Sequence, residues 1–275
     1  MDIKIYDDNV QELSSNGFNF KKLFIIILCI IIFIVSIIVY CRYKATSGLR
    51  VVEYKVTDSS LPDSFHGIKL VQFSDLYFGN TVDVKYLSSI VSSINDLKPD
   101  IVVFTGDLIY GEIDDETKNS IIDLLGSINC SIDKYAISGD IDNIDLFNEI
   151  VSASGFINLN NSDSLVYYYD DIPISIGNKD INSDLFSILL LHKPDDIDNI
   201  QNSFNLVLAG HSLNGQINIP ILKKVFLKDG SKKYYNGHYV VNGNNLYVSN
   251  GIGTTSFKYR FNNKPSINLF RLTKY

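Results

Sequence analysis

Leu23 to Tyr40 (LFIIILCIIIFIVSIIVY) contains no charge, no proline and no glycine, and nothing later in the chain is so uniformly apolar. At the rise of an α-helix this stretch covers roughly 27 Å, close to the hydrocarbon thickness of a bilayer. A buried core helix would carry a polar face, and this one has only Ser36. The apolar region of a cleaved signal peptide is shorter, and no small-x-small site comes before Cys41-Arg42. The pattern therefore predicts a single retained transmembrane helix over 23–40, behind a short polar, mobile tail over 1–22. Lys4, Lys21 and Lys22 precede the span, while Arg42, Lys44, Arg50 and Lys55 follow it. That balance leaves the side of the membrane occupied by the rest of the chain undecided.

After a brief linker around Ala45 to Gly48 the periodicity changes. Arg50–Val56 and Ile68–Phe73 read as strands by their β-branched and aromatic content. Between Val82 and Leu97, apolar Leu87, Ile90, Val91, Ile94 and Leu97 recur at three and four residues. This is a helix with one buried face, and Pro99 closes it. Ile101–Thr105 is a short continuous apolar run, as a strand covered on both faces should be. Helices are expected at Asp115–Ile128 and 144–153, with a buried strand at Lys134–Ser138. Beyond Phe156 short strands dominate, at 164–169, 172–176, 186–191, 205–209, 238–242, 245–249 and 266–272. Early βαβ units followed by strands predict an α/β fold: a two-sheet β-sandwich flanked by helices, forming one domain over 50–275.

Composition narrows the partners only slightly. The 275 residues carry a formal net charge of -7, which argues against nucleic acid, because a polyanion calls for a basic surface. Of three cysteines, Cys29 lies within the span and Cys41 at its edge, leaving Cys130 alone in the soluble part. No disulfide can form within the domain, so the redox compartment stays open.

The chemistry lies at strand ends. Asp75 follows the strand ending at Phe73, Asp107 the one ending at Thr105, and Asp140 the one ending at Ser138; His192 follows Leu191 and His211 follows Ala209. Asp107, Asp140 and His211 each have a glycine immediately before them. In α/β sheets, sites form beyond the carboxyl ends of strands, and glycine lets the backbone turn sharply there. Carboxylates combined with imidazoles suit Mn, Fe or Zn. Taken singly, each residue is as readily a solvated turn aspartate or a packed histidine; five in sheet order are not.

These segments, Ser74-Asp75-Leu76-Tyr77, Gly106-Asp107, Gly139-Asp140-Ile141-Asp142, His192 and Gly210-His211-Ser212-Leu213-Asn214-Gly215-Gln216, resemble the motifs of the calcineurin-like metallophosphoesterases. The last is similar to the GHTHGGQ of a branch whose bacterial members are often membrane-attached, and Gly251 to Pro265 resembles that branch's closing segment. The resemblance covers roughly 50–275. It implies a two-metal phosphoester hydrolase in which Asp107 bridges the ions. The first ion would take Asp75 and the positions of Tyr77 and Leu213; the second would take Asp140, His192 and His211.

Three histidines that the resemblance requires are replaced. Tyr77 and Leu213 stand where the first ion expects imidazoles, and Ile141 where a histidine assists at the leaving group. A neutral leucine cannot ligate, and tyrosine could do so only as a phenolate, against a reference pKa near ~10. Asp140 stands for an asparagine and adds a negative charge. The expectation is one divalent metal rather than two, held by Asp107, Asp140, His192 and His211, with Asp75 remaining beside Asp107 as a ligand of the depleted first position. Two functions follow. One is a membrane-anchored hydrolase of phosphoesters or lipid-linked phosphates with a degenerate, single-metal site. The other is a catalytically inactive pseudoenzyme acting as a membrane-tethered binding or scaffold domain.

Overall fold

The computed structural model describes residues 19–178, 184–220 and 223–275; the tail expected over 1–22 lies, up to residue 18, outside them. The described chain divides into two units between Val39 and Tyr40. In the first, helix α1 spans Phe20–Val39 and buries none of its residues. It is long and apolar enough to cross a membrane. Its one hydroxyl, Ser36, donates back to the Ile32 carbonyl at 2.8 Å, so the hydroxyl within the apolar stretch is satisfied by the helix itself.

The second unit is a sandwich of two six-stranded sheets. The strands of the first sheet are β1 (Arg50–Thr57), β2 (Lys69–Phe73), β3 (Ile101–Thr105), β4 (Asp133–Ile137), β5 (Ile157–Asn158) and β12 (Ser266–Thr273), in the spatial order β1-β12-β2-β3-β4-β5. The second holds β6 (Asp163–Val166), β7 (Ile174–Gly177), β8 (Ser187–Leu191), β9 (Leu206–Ala209), β10 (Gly237–Val241) and β11 (Asn244–Val248), in the order β10-β11-β9-β8-β7-β6. Strands β2, β3 and β4 run parallel, as do β7, β8, β9 and β11.

Strand alternation divides the apolar residues between layers. Ile101 and Val103 face the space between the sheets with Leu70, Ile188 and Leu190. Val102 and Phe104 face the helices with Val71 and Phe73. Leu189 and Leu191 point the other way, onto Ile197 of the short 3₁₀ segment Pro194–Asn199. Helices α2 (Val84–Asp96), α3 (Asp115–Gly126) and α4 (Ile144–Ala153) cover the first sheet. Each starts on a side-chain cap that satisfies an otherwise unpaired N–H: Asp83 accepts from Tyr86, Asp114 from Thr117 and Asn143 from Leu146. Helix α2 buries Leu87, Ile90, Val91 and Ile94, the face its spacing predicts.

One polar group joins the two sheets beneath the strand ends. Gln72 on β2 donates to the Ala209 carbonyl of β9 at 3.0 Å and to Thr105 Oγ1 of β3 at 3.2 Å, and accepts from Asn268 of β12 at 3.0 Å. A buried amide satisfied on both ends costs little and fixes the register of one sheet on the other.

Candidate metal centre

The loops that leave β2, β3, β4, β8 and β9 meet at one end of the sandwich, and hydrogen bonds between their backbones lock them there. Asp75 N–H donates to the Gly106 carbonyl at 2.9 Å, Tyr77 N–H to the Asp107 carbonyl at 3.1 Å, and Gly210 N–H to the His192 carbonyl at 3.1 Å. Asp75, Tyr77, Asp107, His211 and Leu213 all have positive φ, between 46° and 65°. That region is unusual for residues with side chains, and strain of this kind concentrates where a site dictates it. Gly106 (φ +94°) and Gly139 meet across the centre: a Cβ on Gly106 would lie 2.6 Å from both the Gly139 nitrogen and His192 Nδ1. The glycines before the aspartates are there because no side chain fits.

The Asp142 carboxylate holds two of these loops together. It accepts from Asp107 N–H at 3.0 Å, Leu108 N–H at 2.7 Å and Gly139 N–H at 2.7 Å. Burial pushes its carboxyl upward, and these three bonds oppose the rise.

Asp107, His192 and His211 form a cluster whose potential ligand atoms all lie within 4.8 Å of one another. His192 Nε2 is 3.3 Å from Asp107 Oδ1 and 3.2 Å from His211 Nδ1. Asp140 Oδ2 lies 3.7 Å from His211 Nδ1 and 3.0 Å from Lys193 Nζ. The outward nitrogens of both imidazoles are committed: His192 Nδ1–H donates to the Thr105 carbonyl at 2.8 Å, and His211 Nε2–H to the Asp229 carbonyl at 2.7 Å. Each ring therefore turns its other nitrogen inward, the arrangement that fixes tautomer and orientation in metal-binding histidines. Two imidazoles and the Asp107 carboxylate converge in a set that suits a divalent cation, and Asp140, exposed and paired with Lys193, lies at its edge rather than within it.

The region of the other expected ion is different. Asp75 is fully buried; its Oδ2 accepts from His211 N–H at 3.1 Å, while its Oδ1 has no hydrogen-bond partner among the described residues. Tyr77 donates its hydroxyl to Asp107 Oδ2 at 2.5 Å. Leu213 is buried against Gly251, where an added Cβ would meet Leu213 Cδ2 at 2.6 Å and Asp75 Cβ at 2.9 Å. Lys228, from the loop after β9, reaches into this region. Its Nζ lies 2.6 Å from the Tyr77 oxygen, 3.2 Å from His211 Nδ1 and 3.5 Å from Asp107 Oδ2. Beside Asp75, then, stand a phenol, a leucine and an ammonium, with no imidazole facing it from positions 77 and 213. Ile141 leaves its side chain exposed, and only its N–H touches the cluster, donating to Asp107 Oδ1 at 3.2 Å.

Charges follow the geometry. Burial and the neighbouring Asp107 push Asp75 up to about 6. Burial alone would raise Asp107, but the hydrogen bond and charge of His192, with Lys228 and Tyr77, hold it well below the carboxylate range. Burial also opposes protonation of His192, yet its bond to Asp107 and the charges of Asp107 and Asp75 push it up to about 9. Burial, Lys228 and His192 together press His211 down to about 4. Burial and the surrounding carboxylates drive the Tyr77 hydroxyl far above its ordinary value, so it stays a phenol.

Beside Lys228 a cavity of about 230 Å³ opens, lined by Leu213, Phe226, Phe257 and Thr255 among others. Sequence reasoning found the five strand-end residues but not Lys228, which lies 17 positions beyond His211 among other loop lysines. No pattern marks it. Lys193, adjacent to His192, was likewise missed.

A two-sheet sandwich with an aspartate–histidine cluster at its strand ends defines a calcineurin-like metallophosphoesterase domain. The chain belongs to the metallophosphoesterases: an uncharacterized metallophosphoesterase YkuE of Bacillus subtilis (strain 168) is 31% identical over 253 residues, covering 85% of this chain and 88% of that one. A Danio rerio transmembrane protein with metallophosphoesterase domain is 26% identical over 289 residues, 94% of this chain and 63% of that protein. A shorter match, 34% identical over 88 residues, covers 31% of this chain and 26% of the UDP-2,3-diacylglucosamine pyrophosphatase LpxG of Chlamydia muridarum (strain MoPn / Nigg). No protein-family model matches the chain.

Proposed function

We propose that this protein is a membrane-anchored phosphoester hydrolase that works with one divalent cation, held by Asp107, Asp140, His192 and His211. The observation that carries this reading is the pair of imidazoles with outer nitrogens tied to the Thr105 and Asp229 carbonyls and inner nitrogens facing each other at 3.2 Å. A cation there supplies Lewis acidity to a phosphoryl oxygen and lowers the pKa of a nearby water. The protein's own groups supply the rest. Asp142 fixes the Asp107 and Gly139 loops, and Lys193 steadies Asp140 at the site's mouth. Helix α1 would hold the domain at a membrane.

Ile141 limits the substrates. With an exposed aliphatic side chain where an imidazole would assist the departing oxygen, the leaving group must depart without a proton from that position. This favours acidic leaving groups, such as aryl oxides or the phosphate of a pyrophosphate, over alkoxides. A lipid-linked pyrophosphate is the natural candidate. The anchor helix, the cavity lined by Leu213, Phe226 and Phe257 and the likeness to a diacylglucosamine pyrophosphatase all support it.

A second reading, a tethered binding domain without activity, draws on Tyr77, Ile141 and Leu213. The experiment that separates them uses the full chain in detergent, stripped with chelator and titrated with Mn²⁺, with aryl phosphodiesters of graded leaving-group acidity. The expected result is about one Mn²⁺ per chain, hydrolysis that rises steeply with leaving-group acidity, and loss of both in His192→Ala. Uptake without hydrolysis would establish the binding domain, and no uptake would overturn the metal reading.

A further inference from the structure

Lys228 belongs neither to the expected ligands nor to any motif, yet it holds a central position. We propose that its ammonium is the permanent cation of the first metal position, so that a side chain of this protein stands where two-metal relatives are expected to hold a second ion. This rests on the single-cation reading of the neighbouring position.

The placement is specific. Nζ lies 2.6 Å from the Tyr77 hydroxyl and 3.5 Å from Asp107 Oδ2, its two acceptors, and 3.2 Å from His211 Nδ1, whose lone pair is left for the neighbouring cation. Tyr77 completes a relay: its oxygen accepts from Lys228 and its hydrogen goes to Asp107 Oδ2. The tyrosine is thus a built part of the ammonium's socket rather than a failed ligand. Leu213 closes the wall beside Asp75. The loop that delivers the lysine is fastened at and just beyond it. The Asp229 carbonyl accepts from His211 Nε2–H at 2.7 Å, the Gly230 carbonyl accepts from Asp195 N–H at 2.9 Å, and Ser231 Oγ donates to the Lys228 carbonyl at 3.0 Å.

The physical logic is compensation. Asp75 and Asp107 are fully buried carboxylates, and buried charge persists only when paired or coordinated. An ammonium supplies that pairing to Asp107 directly, and to Asp75 through its charge alone, with no dependence on metal supply. It also differs from a divalent ion in kind, because it has no vacant orbital and cannot acidify a water. The first position therefore becomes purely electrostatic, and a metal ion brought there would face a positive charge within a few ångströms.

Metal counting tests this without reference to activity. The full chain in detergent, freed of metal and titrated calorimetrically with Mn²⁺, should bind about one ion as wild type. Tyr77→His with Leu213→His should still bind one, despite two added imidazoles. Adding Lys228→Met to that pair should raise the count to two. Two ions in the double variant with Lys228 intact, or one in the triple variant, would overturn the proposal. A metal-free readout stands beside it. Lys228→Met and Tyr77→Phe should each lower the melting temperature, and the combination should lower it by less than the sum, because both remove the same bond. Strictly additive shifts would refute the socket. Should wild type take up no ion, the single-cation reading fails, and the melting cycle alone decides the role of Lys228.

Discussion

Replacing Asp142 tests whether one carboxylate sets the geometry of the centre. In Asp142→Ala, the N–H groups of Asp107, Leu108 and Gly139 lose an ionised acceptor at 2.7–3.0 Å. Hydrogen bonds to a charged group contribute ~1.5–3 kcal/mol each, net. Gly139 is partly exposed, so water can replace its bond, whereas Asp107 and Leu108 are fully buried. Two unreplaced bonds give a loss of about 4 kcal/mol, and at ~2–4 °C per kcal/mol for a domain of this size the melting temperature should fall by about 10 °C. Asp142→Asn keeps one oxygen and must turn its amide hydrogens toward a donor, so about half that shift is expected. Differential scanning fluorimetry of the full chain in detergent reads both shifts. Mn²⁺ titration should show affinity reduced about tenfold or more in the alanine variant, as for other groups that position ligands. An alanine variant melting within ~2 °C of wild type would refute the argument, since two buried N–H groups cannot lose such an acceptor so cheaply.

The metal-free protein should also respond to pH through His192, whose pKa is about 9 in the fold against ~6.5 unfolded. A raised pKa means the stabilisation is complete below the unfolded value and is lost as pH climbs through the folded one. Melting temperature should therefore decline between pH ~6.5 and 9, and His192→Asn should flatten that decline; an unchanged slope in the variant would assign it elsewhere. Gly106→Ala forces a methyl to 2.6 Å from Gly139 N and His192 Nδ1 at φ +94°. It should lower the melting point far more than Gly126→Ala, where the nearest atoms are 3.9 Å away; equal effects would show that the close approach is tolerated.

Much of the architecture is legible in the sequence because its signals are local. The spacing of Leu87, Ile90, Val91 and Ile94 gives α2 and its buried face, and the unbroken apolar runs at Ile101–Thr105 and Ser187–Leu191 announce strands covered on both sides. The two-residue β5 was missed, being too short to show a period. The strand expected at 164–169 is shorter and earlier, Asp163–Val166, and Tyr169 turns away with φ 60°. The five strand-end residues were legible because each follows its strand at once. Lys228 was not: its role depends on where a loop returns in space, and the adjacent Asp229 carbonyl that fixes the loop is a backbone atom with no sequence signal.

The replaced positions share one property with a practical consequence. Tyr77, Ile141 and Leu213 all serve the frame through their backbones. Tyr77 N–H donates to the Asp107 carbonyl at 3.1 Å, Ile141 N–H donates to Asp107 Oδ1 at 3.2 Å, and the Leu213 carbonyl accepts from Asn263 Nδ2 at 2.7 Å. This backbone is a chassis fixed independently of the side chains it carries, of which the Tyr77 phenol and Leu213 also serve the Lys228 socket. Such a chassis is a ready mount for new chemistry, in which residues 77, 141 and 213 can be exchanged as a set. Amine, thiol or carboxylate pockets could be installed beside the His192–His211 pair while the sheets below carry the load.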